Sequence, residues 1–290
     1  YKQVWINNSC PPLIRVPLYL IMIISGERTA INKTLLQNHL LIFKYTFIMN
    51  TTQTLEQMQS LRFDGMYRAY KSQLELPLNH QLEGHELLAH LLDAEQLYRT
   101  NSRADYYIKL AKLRQPATLE QVDCSQGRNL TRSQLAMFAE GSYLQQGKNI
   151  LITGATGCGK SFLACALGHQ ACLLGHKTTY LNMNRFVEKI MLAKLEGSYI
   201  KLLNHLERQS LIILDDFGLQ TLTQETRLAL LQILEDRYAK KSVIIASQLP
   251  VAKWYEYIND PTLADAILDR LSAGAIRIEL KGASLRNRKS

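Results

Sequence analysis

The chain has 290 residues, of which 47% are hydrophobic and 20% are charged. These values exclude a largely disordered chain and are typical of a soluble folded protein with one large or two modest domains. The longest apolar run near the start, residues 16–24, contains Pro17 and is too short to cross a membrane.

Charge and cysteine content indicate the kind of binding partner and the cellular compartment. The formal net charge is +9, and the last ten residues contain four basic side chains and no acid. This basic tail is suited to phosphate backbones or simply to solubility. The five cysteines form no C-x-x-C pair, so a reducing cytoplasm fits best.

Residues 1–48 differ in character from the rest of the chain. They begin with Tyr1 and show no sustained helical or strand period. We expect translation to start at Met49, and the upstream residues to be a non-native or disordered extension.

Residues 49–115 are predicted to form a small helical domain that is divided at Pro77. Its last part is basic, with Arg99, Arg103, Lys109, Lys112 and Arg114 against Asp105. A basic helix end favours contacts with DNA or a partner protein, and an ordinary solvated face is the alternative. The helix is expected to end at Gln115-Pro116, and residues 116–148 are predicted to be a linker with a short helix at Ser133–Ala139.

The next stretch fills every position of the pattern G-x-x-x-x-G-K-[ST], between an apolar strand and a helix. Glycines let successive backbone N–H groups approach a triphosphate, and the helix start adds its dipole. Lys160 would reach the terminal phosphates, and the Ser161 hydroxyl would bind Mg²⁺. The predicted ATP-binding residues are Gly154, Ala155, Thr156, Gly157, Cys158, Gly159, Lys160, Ser161 and Phe162.

Residues 149–290 alternate short apolar strands with helices, which predicts a five-stranded parallel sheet covered by helices on both faces. After the first strand, the others are predicted at 178–181, 211–214, 243–246 and 275–278. Helices are predicted at about 160–174, 184–195, 198–209, 223–239 and 262–272.

The third strand ends in two consecutive carboxylates, Asp215 and Asp216. A buried sheet would not place both there without a cation or water to engage. Asp215 is therefore predicted to hold Mg²⁺, and Asp216 to orient and deprotonate the attacking water. The alternative for Asp216 is that it caps the following turn.

Three further polar residues have competing interpretations. Gln248, or its neighbour Ser247, could face the terminal phosphate at the end of strand four, or either could be a turn residue. Arg270 could be an arginine finger for a neighbouring subunit, or could pair with Asp265 or Asp269. Arg237 is expected to pair with Glu235 on the surface or to contact a core neighbour.

The chain from about residue 55 resembles the IstB-like transposition helper ATPases of bacterial insertion sequences. This family is a branch of the AAA+ class near the DnaC helicase loaders. The likeness is carried by KLAKLRQPATLEQVD, LITGATGCGKS, LACALGHQAC, LIILDDFGL, ILEDRY, ASQLP, DPTLADAILDRL and RIELKGASLR. The pattern departs at Asp216, where many AAA+ proteins have Glu.

The resemblance implies a P-loop ATPase of AAA+ type that binds double-stranded DNA with little sequence preference. It also implies an ATP-dependent homo-oligomer, a transposase partner and a bacterial cytoplasmic location. Lys160, Asp216, Gln248 and Arg270 take the catalytic roles, and Ser161 and Asp215 the metal. The alternatives are a DnaC-like helicase loader, a small-molecule kinase, and a DNA scaffold that does not turn over ATP.

Overall fold

The computed structural model describes residues 50–285. The predictions for residues 1–48 and for the tail beyond Leu285 lie outside the described residues. Contacts divide the chain into two compact units, between Leu82 and Glu83. The domain boundaries predicted from the sequence stay predictions, and this division falls elsewhere.

The first unit is helical in its described part. Helix α1 covers residues 50–60, and α2 covers Asp64–Leu74. Pro77 precedes a single 3-10 turn at Leu78–His80. Because proline has no N–H and restricts the residue before it, the helical pattern is interrupted there, as the sequence predicts.

The second unit is built on a five-stranded sheet. Its strands are β1 (Ile150–Gly154), β2 (Thr178–Asn182), β3 (Leu211–Phe217), β4 (Ser242–Ser247) and β5 (Ile276–Leu280). The order is β2-β3-β4-β1-β5, and every pairing is parallel. The predicted parallel sheet is confirmed, and all five strands therefore end at the same edge, called here the carboxyl edge.

Nine helices of the described residues surround this sheet. They are α3 (Gly84–Ala111), α4 (Arg132–Glu140), α5 (Ser142–Gln145), α6 (Lys160–Leu173), α7 (Met183–Leu195), α8 (Tyr199–Glu207), α9 (Gln224–Arg237), α10 (Trp254–Ile258) and α11 (Pro261–Ser272). The predicted core helices are confirmed, whereas α5 and α10 are too short to show a period. Within residues 50–285, no helix combines the length and apolarity that a bilayer span requires.

Both faces of the sheet are covered by apolar side chains. In β1, Ile150 and Ile152 pack on one face and Leu151 on the other. In β3, Ile213 and Ile212 divide in the same way. All five are 0–1% exposed, and each contributes about 1.5–3 kcal/mol through its burial. This double layer explains why the strands read as continuous apolar runs.

The segment predicted to be a linker packs on the core, and its predicted short helix is observed as α4. Leu119, Leu130 and Phe138 are buried in the same apolar layer as Ile150. Thr131 begins α4 with a capping box, in which its side chain accepts from Gln134 N. This segment is therefore fixed against the first strand and the loop that follows it.

Candidate active site

The loop after β1 is held open by its glycines. Gly157 and Gly159 have φ values of +82° and +94°, a region that other residues rarely adopt. A Cβ at Gly157 would lie 2.2 Å from Ser284 Oγ, and Leu285 N donates to Gly157 O at 2.9 Å. The chain that follows β5 therefore covers one side of this loop.

Gly154 is required for a different reason. A Cβ at Gly154 would lie 2.3 Å from Leu280 O and 2.9 Å from Cys158 Sγ. Arg128 Nη1 also donates to Cys158 O, at 3.4 Å. The start of the loop is thus packed against β5 and the 123–128 segment, behind the face that is open to a ligand.

A cavity of about 390 Å³ lies at the carboxyl edge. It brings together most of the predicted site residues: Thr156, Gly157, Gly159, Lys160, Ser161, Phe162, Asp216 and Gln248. Gly154, Ala155, Cys158, Asp215 and Arg270 are outside its lining. Ala155 O accepts a hydrogen bond from Lys160 Nζ at 2.8 Å. The loop and the carboxylate of Asp216 therefore share one cavity, although β4 lies between β1 and β3 in the sheet.

The two carboxylates converge, although they are consecutive in a strand. Side chains of neighbouring strand residues normally point to opposite faces. Here Arg114 Nη1 lies 3.6 Å from Asp215 Oδ2 and 3.2 Å from Asp216 Oδ2. The reason is a register shift between Leu214 and Phe217, together with a φ of +59° at Asp216. Asp is one of the few residues that tolerate this conformation.

Each carboxylate has a second partner on β2. Asp215 is 1% exposed, and Tyr180 OH donates to its Oδ2 at 2.5 Å. Burial and this hydrogen bond raise the pKa of Tyr180, so the phenol remains a donor. Asn182 Nδ2 donates to Asp216 Oδ2, also at 2.5 Å. These contacts offset the cost of placing charge beside a buried sheet.

Tyr180, Asn182 and Arg114 were missed by the sequence analysis as site residues. The first two are polar side chains near the end of a strand, which is the signal that identified Asp215 and Asp216. That signal becomes informative only once β2 is known to pair with β3. Arg114 was assigned to the basic helix end instead.

The basic end of α3 is not a uniform charged face. Arg99 Nε pairs with Glu95 Oε1 at 2.7 Å, and Arg114 faces the active-site carboxylates. A hydrogen bond with Tyr180 and the charges of Asp216 and Asp215 raise the pKa of Arg114. A DNA contact at this helix end stays a prediction, with Arg103, Lys109 and Lys112 as the remaining cations of that group.

Gln248 and Ser247 have different environments. Ser247 is fully buried, and its hydroxyl donates to Phe217 O at 2.6 Å and accepts from Leu249 N at 3.0 Å. Gln248 lines the cavity, and its Oε1 accepts from Thr156 Oγ1 at 2.7 Å. Of the two, Gln248 is therefore the residue placed to contact a phosphate or a water.

Arg270 lies away from this cavity. Its Nη2 pairs with Glu235 Oε1 at 2.7 Å, and its Nη1 lies 3.6 Å from Asp269 Oδ2. The predicted pairing with Asp269 is observed, while Glu235 is a partner that the sequence analysis did not assign to it. A role in a neighbouring subunit's site stays a prediction.

Arg237 is a core residue rather than a surface partner of Glu235. It is 1% exposed, and its guanidinium donates to the carbonyl oxygens of Leu206, Gln209, Ser210 and Ser242. Burial lowers its pKa to about 10, so it remains protonated at neutral pH. It ties the end of α8 to the start of β4.

The residues at the carboxyl edge fit a magnesium-triphosphate. Gly157 and Gly159 leave the loop backbone free of side chains, and α6 begins at Lys160 with its unpaired N–H groups. The Ser161 hydroxyl and the buried Asp215 carboxylate are oxygen ligands of the kind that Mg²⁺ prefers. The donor set therefore fits a nucleotide site, with Lys160 as the cation beside the loop.

Comparison with known proteins agrees with this donor set. Residues 56–290 match the family described as IstB-like ATP binding protein. The insertion sequence ATP-binding protein y4pL of Sinorhizobium fredii is 40% identical over 233 residues, which cover 80% of this chain and 95% of that protein. The ATP-binding protein of insertion sequence IS21 from Pseudomonas aeruginosa is 30% identical over 229 residues, covering 79% and 86%.

Two solved structures share the fold. The structure of DnaI has a TM-score of 0.50 at 18% identity, covering 61% of this chain and 98% of that chain. A DNA replication initiation factor has a TM-score of 0.50 at 23% identity, covering 59% and 51%. These structures agree with the predicted fold of the core, a parallel sheet with a phosphate-binding loop after its first strand in sequence. On the family match and these relatives, the chain belongs to the IstB-like ATP-binding proteins, a family of P-loop ATPases.

Proposed function

We propose that the protein is a bacterial cytoplasmic ATPase that assists a transposase in DNA transposition. It binds ATP with Mg²⁺, assembles into a homo-oligomer on double-stranded DNA with little sequence preference, and hydrolyses ATP to ADP and phosphate. The observation that carries this proposal is the single cavity where Lys160 and Ser161 meet Asp216. Relatives named insertion sequence ATP-binding proteins support the transposition context.

Nucleotide binding is assigned to the loop and the start of α6. Lys160 Nζ is held by Ala155 O at 2.8 Å, close to the loop N–H groups, so it is placed to take up a phosphate oxygen. Ser161 and Asp215 would hold Mg²⁺, which when bound neutralises charge on the phosphates. Asp215 is 1% exposed and lies outside the cavity lining, so it would hold the cation by way of its water shell.

Hydrolysis is assigned to Asp216, with Gln248 as a positioning partner. Asp216 accepts a hydrogen bond from Asn182 Nδ2, which fixes its carboxylate at the cavity wall. It would accept a proton from the attacking water as a general base. Gln248, held by Thr156 at 2.7 Å, would present its amide N–H to the same water or to the terminal phosphate.

DNA binding is proposed from charge and from the insertion-sequence context of the relatives. Residues 49–290 carry 29 basic and 24 acidic side chains, a net charge of +5, which favours association with a polyanion. Contacts made mainly to phosphates carry no sequence information, which accounts for the low sequence preference proposed here.

The test is ATP turnover by the full chain, measured as free phosphate with and without duplex DNA. We expect phosphate release that duplex DNA stimulates, and DNA binding that falls steeply between about 50 and 200 mM salt because counterions are released. Absence of phosphate release under both conditions would contradict the ATPase. A flat salt response would contradict phosphate-dominated DNA binding.

The partner is tested separately, by pull-down with the transposase or with a replicative helicase. We expect ATP-dependent retention of the transposase. Retention of the helicase alone would instead favour a helicase loader. Formation of a phosphorylated small molecule in place of free phosphate would identify a kinase.

A further inference from the structure

Arg114 places a positive charge beside the two carboxylates at the cavity wall. Its Nη1 lies 3.2 Å from Asp216 Oδ2 and 3.6 Å from Asp215 Oδ2. It lines the same cavity as Lys160 and Ser161. Its side chain is 48% exposed, whereas those of Asp215 and Asp216 are 1% and 22% exposed. The guanidinium therefore keeps contact with solvent on one side, and it can exchange partners without leaving a buried position.

Binding of a magnesium-triphosphate would place Arg114 in conflict with its present partners. A cation held by Asp215 would lie within a few ångströms of the guanidinium, and like charges at that distance repel. The terminal phosphate brings negative charge into the same cavity. A guanidinium presents a planar fork of donors that matches phosphate oxygens.

We propose that Arg114 distinguishes ATP from ADP by leaving Asp216 and Asp215 to bind the terminal phosphate. This rests on the proposed function, because it requires ATP in the cavity. The exchange also frees Asp216 to accept a proton, so the general base is available only when a terminal phosphate is present. With ADP bound, the Arg114 guanidinium remains paired with Asp215 and Asp216, so the Asp216 carboxylate is not free to act as the general base.

The backbone segment that carries Arg114 is anchored at both ends. Ala111 and Ala117 are 0–1% exposed and anchor the segment at both ends. Between them, Lys112 has a φ of +50°, a conformation that costs a residue other than glycine some strain. Arg114 and Gln115 both line the cavity. Between these anchors Leu113 packs against the core, so the backbone of residues 112–116 is held, and the exchange of partners is made by the Arg114 side chain.

The experiment compares the affinities of the full chain for Mg-ADP and for a non-hydrolysable Mg-ATP analogue, by calorimetry. We expect the wild-type chain to prefer the ATP analogue, and Arg114→Ala to lose about tenfold of that preference while its ADP affinity changes little. The matched control is Arg103→Ala, which removes the same charge from exposed α3 outside the cavity lining. It should keep the full preference.

An unchanged preference in Arg114→Ala would overturn this inference while leaving the ATPase proposal intact. Failure of the wild-type chain to bind either nucleotide would instead overturn the ATPase, and this inference with it. A second variant, Arg114→Lys, keeps the charge but removes the planar fork of donors, and it should also lose part of the preference for the ATP analogue. A full wild-type preference in both variants would overturn the role of Arg114.

Discussion

The side-chain amide of Asn149 donates hydrogen bonds to the backbone oxygens of Arg270 and Leu271, at 3.0 and 3.3 Å. Its carbonyl oxygen accepts from Val243 N at 2.9 Å. Asn149 directly precedes β1, so these contacts fix the end of α11 to the amino end of the sheet. Arg270 is therefore held at the edge opposite to the phosphate-binding loop, about 16 Å away along the five residues of β1.

This separation predicts that Arg270 acts on the nucleotide of a neighbouring subunit. Arg270→Ala should bind ATP normally and lose about a thousandfold in turnover, because a finger stabilises only the transition state. Phosphate release is then measured after mixing Arg270→Ala chains with Lys160→Ala chains, each inactive alone. We expect partial recovery, since mixed interfaces combine an intact Arg270 with an intact loop. Loss of nucleotide binding in Arg270→Ala, or no recovery on mixing, would contradict the assignment.

Asp216→Asn should separate binding from hydrolysis. The amide keeps the size of the side chain and removes its capacity to accept a proton, so turnover should fall by about 10²–10⁴-fold. ATP affinity should remain within a few fold, because Lys160 and Ser161 are unchanged. The control is Asp265→Asn on the exposed side of α11, which should leave turnover unaltered. If Asp216→Asn released phosphate at the wild-type rate, Asp216 would not be the general base, and its role would be to cap the turn after β3.

Gly157→Ala should weaken ATP binding and lower the free energy of unfolding by more than backbone strain alone would. Gly157 and Gly197 both have positive φ, +82° and +68°, but a Cβ at Gly197 meets nothing within 4 Å. Gly197→Ala should lower the free energy of unfolding by about 1 kcal/mol through backbone strain. Gly157→Ala adds a collision with Ser284 and should also weaken ATP binding, as calorimetry and urea unfolding would show. Equal effects of the two substitutions would argue against the packing of the C-terminal segment on the loop.

Arg237→Ala should be strongly destabilising although it lies far from the cavity. Its guanidinium satisfies four backbone carbonyl oxygens, three in residues 206–210 and one at Ser242. Removing the donors leaves buried acceptors without partners, which should cost about 3–5 kcal/mol in urea unfolding. The exposed Arg208 provides the control, since Arg208→Ala should change stability by less than about 0.5 kcal/mol. A small effect at Arg237 would mean that water replaces the guanidinium.

The helices, the strands and the phosphate-binding loop could be predicted because their signals are local. Glycine spacing and apolar runs depend on backbone sterics and on burial within a few residues, so β1, the loop and α6 were recognisable from the letters alone. Asp215 and Asp216 were recognisable for the same reason, as charges that end a buried strand. The parallel class of the sheet followed from the alternation of strands and helices.

The strand order and the contacts across it were decided only by the tertiary structure. Sequence spacing does not say that β2 lies beside β3, so Tyr180 and Asn182 could not be assigned to the two carboxylates. Nor could it show that the bulge in β3 turns both aspartates towards Arg114, since that geometry comes from a register shift between strands. Periodicity is a property of neighbouring residues, whereas a site at a sheet edge depends on packing between segments that are far apart in the chain.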